Sequence, residues 1–178
     1  MIDKNINELK VLISESEIKE KIKELATNIE SVFSQDEEIY VICVLKGSVM
    51  FCCDLVKHFK HNIKMEFIRI SSYGNETKSS NNLQAIDLTL PNLNKKNVLI
   101  VEDIIDTGLT AKFLTDLFKI KHHPKKLFFV SLLNKKCARQ IDIEPDFYGF
   151  EVDDKFLVGY GLDYKGFYRN LPYIGYFA

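Results

Sequence analysis

Residues 97–114 read NVLIVEDIIDTGLTAKFL. Val98 to Val101 is wholly apolar and mostly β-branched, the pattern of a strand covered on both faces. It arrives at two adjacent acids, Glu102 and Asp103, and then reaches the small turn Asp106-Thr107-Gly108-Leu109-Thr110. Beyond Gly108 the apolar spacing becomes helical. A buried strand feeding a helix implies parallel strands joined by crossover connections. Carboxylates beside a core cost free energy unless they are partnered, so Glu102 and Asp103 should have partners.

In an open parallel sheet, ligands collect beyond the carboxyl ends of the strands. If Gly108 to Thr110 opens a helix, its first amides have no partners inside the helix and point outward. The helix dipole adds attraction for an anion. Thr107 and Thr110 bring hydroxyl donors, and Gly108 lets a ligand approach the backbone, so the turn suits a phosphate. Glu102 and Asp103 would repel that phosphate. They suit sugar hydroxyls, or a hard divalent cation held directly or through water. Phosphate cup and diol acceptors one turn apart describe a ribose 5-phosphate site. The segment also reads as an ordinary strand ending in acids before a capped helix, and taken alone it leaves both readings open.

Outward from this stretch, Ser14-Glu15-Ser16-Glu17 resembles a capping box, and Ile18, Ile22, Leu25, Ile29 and Phe33 recur at helical spacing. Ile39 to Leu45 is a second apolar strand. Lys46-Gly47-Ser48 breaks it, and Val49 to Phe59 reads as a buried helix. Met65 to Ile70 alternates as a strand, and Gly74 to Gln84 is polar enough to be a mobile loop. Ala85 to Leu90, Leu127 to Leu133 and Phe147 to Val152 read as further strands. The ends differ in character: residues 1–35 are polar and helical, while 153–178 are rich in Tyr and Gly.

The chain has 178 residues, enough for one domain with a sizeable core. Its 24 basic and 25 acidic residues nearly cancel, which gives no general electrostatic reason to bind nucleic acid or an anionic membrane. No signal-peptide pattern or membrane-length apolar run is present, and Cys43, Cys52, Cys53 and Cys137 form no CxxC. Free thiols and a cytoplasmic location are expected. GxxxxGK[ST] is absent, and Gly159-Tyr160-Gly161 lacks the third glycine of a dinucleotide fingerprint.

VLIVEDIIDTGLT closely resembles the phosphoribosyl-pyrophosphate signature of the type I phosphoribosyltransferases. Other segments match in order: Leu45-Lys46-Gly47-Ser48 the pyrophosphate loop, and Ser72-Tyr73 the root of the lid in the purine-salvage branch. Residues 154–160 (DKFLVGY), Leu162-Asp163-Tyr164 and Arg169 resemble that branch's purine and second-metal segment. The resemblance runs from about residue 10 to 173. It implies one α/β domain with a mainly parallel, twisted sheet flanked by helices (core about 36–152). A small hood would come from the chain ends (about 1–35 and 153–178).

The implied reaction belongs to the hypoxanthine branch. Ribose 5-phosphate passes from phosphoribosyl pyrophosphate to N9 of a 6-oxopurine, and a nucleoside monophosphate and pyrophosphate are released, with Mg2+ as cofactor. Glu102 and Asp103 would face the ribose diol and one metal, and Asp163 would stand near the purine and a second metal. Asp106 would handle the proton at purine N7, while Thr107, Gly108, Leu109 and Thr110 cup the 5-phosphate. Lys135 would donate to O6, Phe156 would stack on the base, and the Leu157 backbone would read its edge. Lys46, Gly47 and Arg169 would hold pyrophosphate. Ser72 and Tyr73 would anchor a lid that shields the activated sugar from water.

Leu109 stands where several relatives carry Lys or Arg, and Ser48 where some carry Gly. Self-association as a homodimer or homotetramer is expected from the resemblance. Two other readings stay open: a xanthine–guanine enzyme, and a non-catalytic RNA-binding regulator on the same fold, for which Lys121, Lys125, Lys126, Lys135 and Lys136 would be the basic face.

Overall fold

The apolar runs of the sequence become neighbouring strands in the computed structural model, which describes residues 8–73, 82–87 and 89–177. In chain order the elements are β1 (Leu9–Ile13), α1 (Glu15–Glu30), β2 (Ile39–Leu45), α2 (Val49–Val56), β3 (Ile63–Tyr73) and β4 (Asn82–Asp87). There follow β5 (Asn97–Ile105), α3 (Leu109–His122), β6 (Lys126–Asn134), β7 (Phe147–Glu151), β8 (Leu157–Val158) and β9 (Ile174–Phe177). The main sheet has the order β4-β3-β2-β5-β6-β7. Five of its strands are parallel, and β4 runs antiparallel to β3 at the edge. From β2 the chain winds to one side through β3 and β4, then returns to β5 and winds to the other. The strand order therefore reverses between β2 and β5, and a crevice opens beyond their carboxyl ends.

Both faces of this sheet are covered, which explains the unbroken apolar strands. Ile18, Ile22, Leu25 and Ile29 of α1 pack with Phe51 and Leu55 of α2 over Val41, Leu99 and Val101. Leu114 and Phe118 of α3 cover Ile42, Ile68 and Ile100 on the other face. Each fully buried Ile or Leu contributes about 1.5–3 kcal/mol of transfer free energy. The capping box forms as expected: the Glu17 amide donates to Ser14 Oγ at 3.3 Å, and the Ser14 amide donates to Glu17 Oε2 at 2.8 Å. Phe33 lies past the end of α1 but stays buried, edge-on to Phe128 at 5.5 Å.

Several boundaries differ from the sequence expectation, and Leu9–Ile13, expected within a helical N-terminal region, forms the strand β1. β5 continues to Ile105 rather than stopping at Val101, because β6 still pairs with it at Ile104↔Leu133 and Ile105↔Asn134. On its other edge the pairing with β2 ends at Cys43↔Val101, so Glu102 and Asp103 lie on a strand with one open edge. The helix after β2 ends at Val56, three residues short of Phe59. Asn82 to Gln84, expected in a polar loop, belong to β4 and pair with Ser71 to Tyr73. The mobile-loop and lid readings of residues 74–81 fall outside the described residues.

The chain ends meet in a second sheet of order β1-β9-β8. Among the described residues, no helix is long and apolar enough to cross a membrane.

Candidate active site

The turn after β5 is built around Gly108, which caps α3 in the left-handed region with φ 85°. The reason for glycine differs from the sequence reading. A methyl group there would meet Ile143 Cγ2 at 2.8 Å and the Ile141 carbonyl at 3.1 Å, so the close approach comes from the chain's own residues 139–143. No side chain caps α3. The Thr107 amide donates to Asp106 Oδ1 at 2.5 Å, and the amide of Leu109 only weakly meets Thr107 Oγ1 at 3.4 Å. Glu102, Asp106, Gly108 and Thr110 line a small hollow at this helix end.

Glu102 is buried and Asp103 half-buried. Burial pushes the Glu102 carboxyl well above its ordinary value, and the charge of Asp103 and a hydrogen bond shared with it add to that. Burial also raises Asp103, against the stabilising hydrogen bonds from Glu102 and the Ile104 amide. Two neighbouring carboxyls so enclosed are costly to charge together.

Lys46 and Gly47 form the turn between β2 and α2, with a cis peptide joining Leu45 to Lys46. Lys46 is exposed and Gly47 buried. A methyl group on Gly47 would lie 1.5 Å from Asp103 Oδ2, so the loop rests directly on that carboxylate. Ser48 is buried and donates from Oγ to the Val44 carbonyl at 2.6 Å, which closes the end of β2 without a glycine.

Asp103, Ile104, Asp106, Lys135, Lys155, Phe156, Leu157, Leu162 and Asp163 surround a cleft of about 230 Å³. Lys135 follows β6 and holds its amide on the Ile105 carbonyl at 2.9 Å, while its ammonium pairs with Asp154 at 2.7 Å. Phe156 is exposed beside the cleft, edge-on to Tyr164 at 5.7 Å. Arg169 pairs with Asp163 at 2.5 Å and donates to the Gly161 carbonyl. Ser72 and Tyr73 end β3, opposite Leu83 and Asn82, and their side chains fall outside the described residues.

Among the described residues, no three acidic, His or Cys side chains converge as a ready metal cluster. A small hard cation that keeps several waters needs only one or two carboxylates plus substrate oxygens. Glu102 and Asp103 supply such oxygens, and Asp163 supplies one more carboxylate, now held by Arg169.

Sequence reasoning overlooked Arg139, Asn134, Ile104 and Leu162. Arg139 sits in a run of basic and polar residues that reads as a solvated loop, and the two apolar residues read as core. Nothing local in the sequence marks any of them.

The phosphoribosyl transferase domain model matches residues 14–165, and the chain belongs to that family. Within it, the chain is 48% identical over 166 residues to the hypoxanthine-guanine phosphoribosyltransferase of Bacillus subtilis, covering 93% of this chain and 91% of that one. It is similar to the crystal structure of a hypoxanthine-guanine phosphoribosyltransferase from Bacillus anthracis (TM-score 0.89, 46% identity, 95% and 98% of the two chains). It is also similar to a hypoxanthine phosphoribosyltransferase from Staphylococcus aureus (TM-score 0.91, 37% identity, 100% and 97%).

Proposed function

We propose that the chain transfers ribose 5-phosphate from phosphoribosyl pyrophosphate to N9 of hypoxanthine, giving IMP and pyrophosphate. Guanine, giving GMP, is the second acceptor to test. One observation carries the reading: Asp103, Asp106, Lys135, Phe156, Leu157 and Asp163 wall one cleft beside the open end of α3. The fit to named enzymes of this activity over nearly the whole chain supports it.

In this reading the amides of Thr107 to Thr110 hold the 5-phosphate, with the phosphate replacing Asp106 on the Thr107 amide, and Glu102 and Asp103 accept from the ribose diol. Lys46, Gly47 and Arg169 hold the pyrophosphate. Phe156 and Leu157 fix the base, Lys135 donates to its O6, and Asp106 takes or holds the N7 proton as N9 becomes nucleophilic. Neutralising the charge of the departing pyrophosphate is the chemistry a magnesium ion supplies when bound, on Glu102 and Asp103 and beside Asp163. Ser72 and Tyr73, at the end of β3, would anchor a lid over the bound sugar.

We place the protein in the cytoplasm, in keeping with four free cysteines. We also propose self-association as a dimer or tetramer, which would cover exposed apolar side chains such as Met50 and Phe67. The relatives' names lend no support to the xanthine–guanine or RNA-binding readings. The test is an acceptor panel of hypoxanthine, guanine, xanthine, adenine and uracil with phosphoribosyl pyrophosphate and magnesium, followed by pyrophosphate release. Release with hypoxanthine is expected. Release with xanthine alone, or with none, defeats the reading.

A further inference from the structure

Behind the turn that ends at Gly108 lies a charged side chain that is not itself part of the cleft wall. The Arg139 side chain is only 11% exposed. Its Nη1 donates to the Asp106 carbonyl at 2.8 Å, and its Nη2 donates to Asn134 Oδ1 at 2.5 Å. Asn134 is fully buried at the end of β6 and donates in turn to Glu144 Oε2 at 2.9 Å. Glu144 stands 3.7 Å from Nη2, and Arg139 Nε is buried with no partner among the described residues. A cation held this way, with one donor unsatisfied, costs free energy that an apolar side chain would avoid.

The neighbouring backbone acts in the same direction. The amides of Gln140 and Ile141 donate to the Thr107 carbonyl at 3.0 and 3.2 Å. In a trans peptide the carbonyl and the following amide point oppositely. Drawing the carbonyls of Asp106 and Thr107 to the rear therefore sends the amides of Thr107 and Gly108 to the front, where the Asp106 carboxylate now takes the Thr107 amide and a phosphate would replace it. The Thr107 carbonyl has two backbone donors, whereas the Asp106 carbonyl depends on Arg139.

We propose that Arg139 is a positioning residue: from behind the turn it sets the Asp106–Thr107 peptide so that the Thr107 amide faces a sugar phosphate. The inference rests on the phosphate reading of this turn.

The experiment compares wild type, Arg139→Gln and Arg139→Lys by calorimetric titration with ribose 5-phosphate, and by KM for phosphoribosyl pyrophosphate and for hypoxanthine. Loss of a charged hydrogen bond should raise the ribose 5-phosphate Kd by roughly 10- to 100-fold in Arg139→Gln. The KM for phosphoribosyl pyrophosphate should follow, and that for hypoxanthine should stay near wild type. Lysine keeps the charge but cannot reach Asp106 and Asn134 together, so its Kd should lie between the two. An unchanged Kd in Arg139→Gln, or equal rises in both KM values, overturns the proposal. If Arg139→Gln does not fold, Arg139→Lys decides alone by the same criteria. A wild type that binds ribose 5-phosphate but turns over no purine overturns the proposed reaction, and the Kd comparison still judges Arg139. No binding of ribose 5-phosphate by the wild type overturns both.

Discussion

Asp106 is exposed at the mouth of the cleft and uses one oxygen to hold the amide and hydroxyl of Thr107, the groups a sugar phosphate would take. A phosphate arriving there would release the carboxylate toward the base. Asp106→Asn keeps the shape and loses the proton acceptor. It should cut kcat by about 10²–10⁴-fold and leave the affinity for phosphoribosyl pyrophosphate nearly as it was; equal turnover of variant and wild type would remove the acid/base role. Lys135 is a different case, since its ammonium is already engaged by Asp154 and the Lys155 carbonyl. Lys135→Ala should raise KM for 6-oxopurines by roughly 10-fold or more, the worth of one charged hydrogen bond, with little effect on phosphoribosyl pyrophosphate. A uniform loss across acceptors and donor would contradict the assignment.

At the scale of elements, strands and helices were legible because their patterns are local. Ile18, Ile22, Leu25 and Ile29 mark α1, and the apolar runs mark β2, β5 and β6. Element ends were less legible. The acids of β5 look like a terminus, yet pairing with β6 carries the strand past them. Glu37 shows another tie that no local pattern reveals. It accepts from Lys125 at 2.6 Å, from the Ser34 amide at 2.8 Å and from Lys126 at 3.0 Å, joining the approach to β2 to the start of β6. The Lys125 hydrogen bond, then those from Ser34 and Lys126, hold its carboxyl down at about 2, against an ordinary 4.5. A depressed carboxyl contributes stability that is whole above the ordinary value and disappears as pH falls through the lowered one. Urea unfolding of wild type and Glu37→Gln should therefore differ by a constant amount above about pH 5 and converge between about pH 4.5 and pH 2. A gap that does not narrow in acid would show that Glu37 acts through packing instead.

For the whole molecule, the decisive contact joins the C-terminal segment to the main sheet. Gly161 has φ 101°, and a methyl group on it would lie 1.9 Å from the Gly47 carbonyl. The same segment is tied to α2 by the Tyr160 hydroxyl, which donates to Asp54 Oδ2 at 2.6 Å. Gly161→Ala should push the Lys46–Gly47 turn off its seat on Asp103 and also strain a left-handed backbone, at about 1 kcal/mol or more. The expected result is a lower Tm and a KM for phosphoribosyl pyrophosphate raised several-fold. An alanine variant with wild-type KM would mean that this contact does not shape the loop.

By itself the sequence determined the α/β class, the buried strands, the turn at Asp106 to Thr110 and the identity of the acids beside it. Those features rest on periodicity and residue chemistry within a dozen or so neighbours. Tertiary structure alone decided that Gly108 yields to residues 139–143, that Gly47 rests on Asp103, and that Arg139 stands behind the turn at Asp106 to Gly108. Each is a contact between residues far apart in the chain, set by sheet order and strand register. No local spacing encodes it, because the free energy of such a contact depends on what the rest of the fold brings alongside.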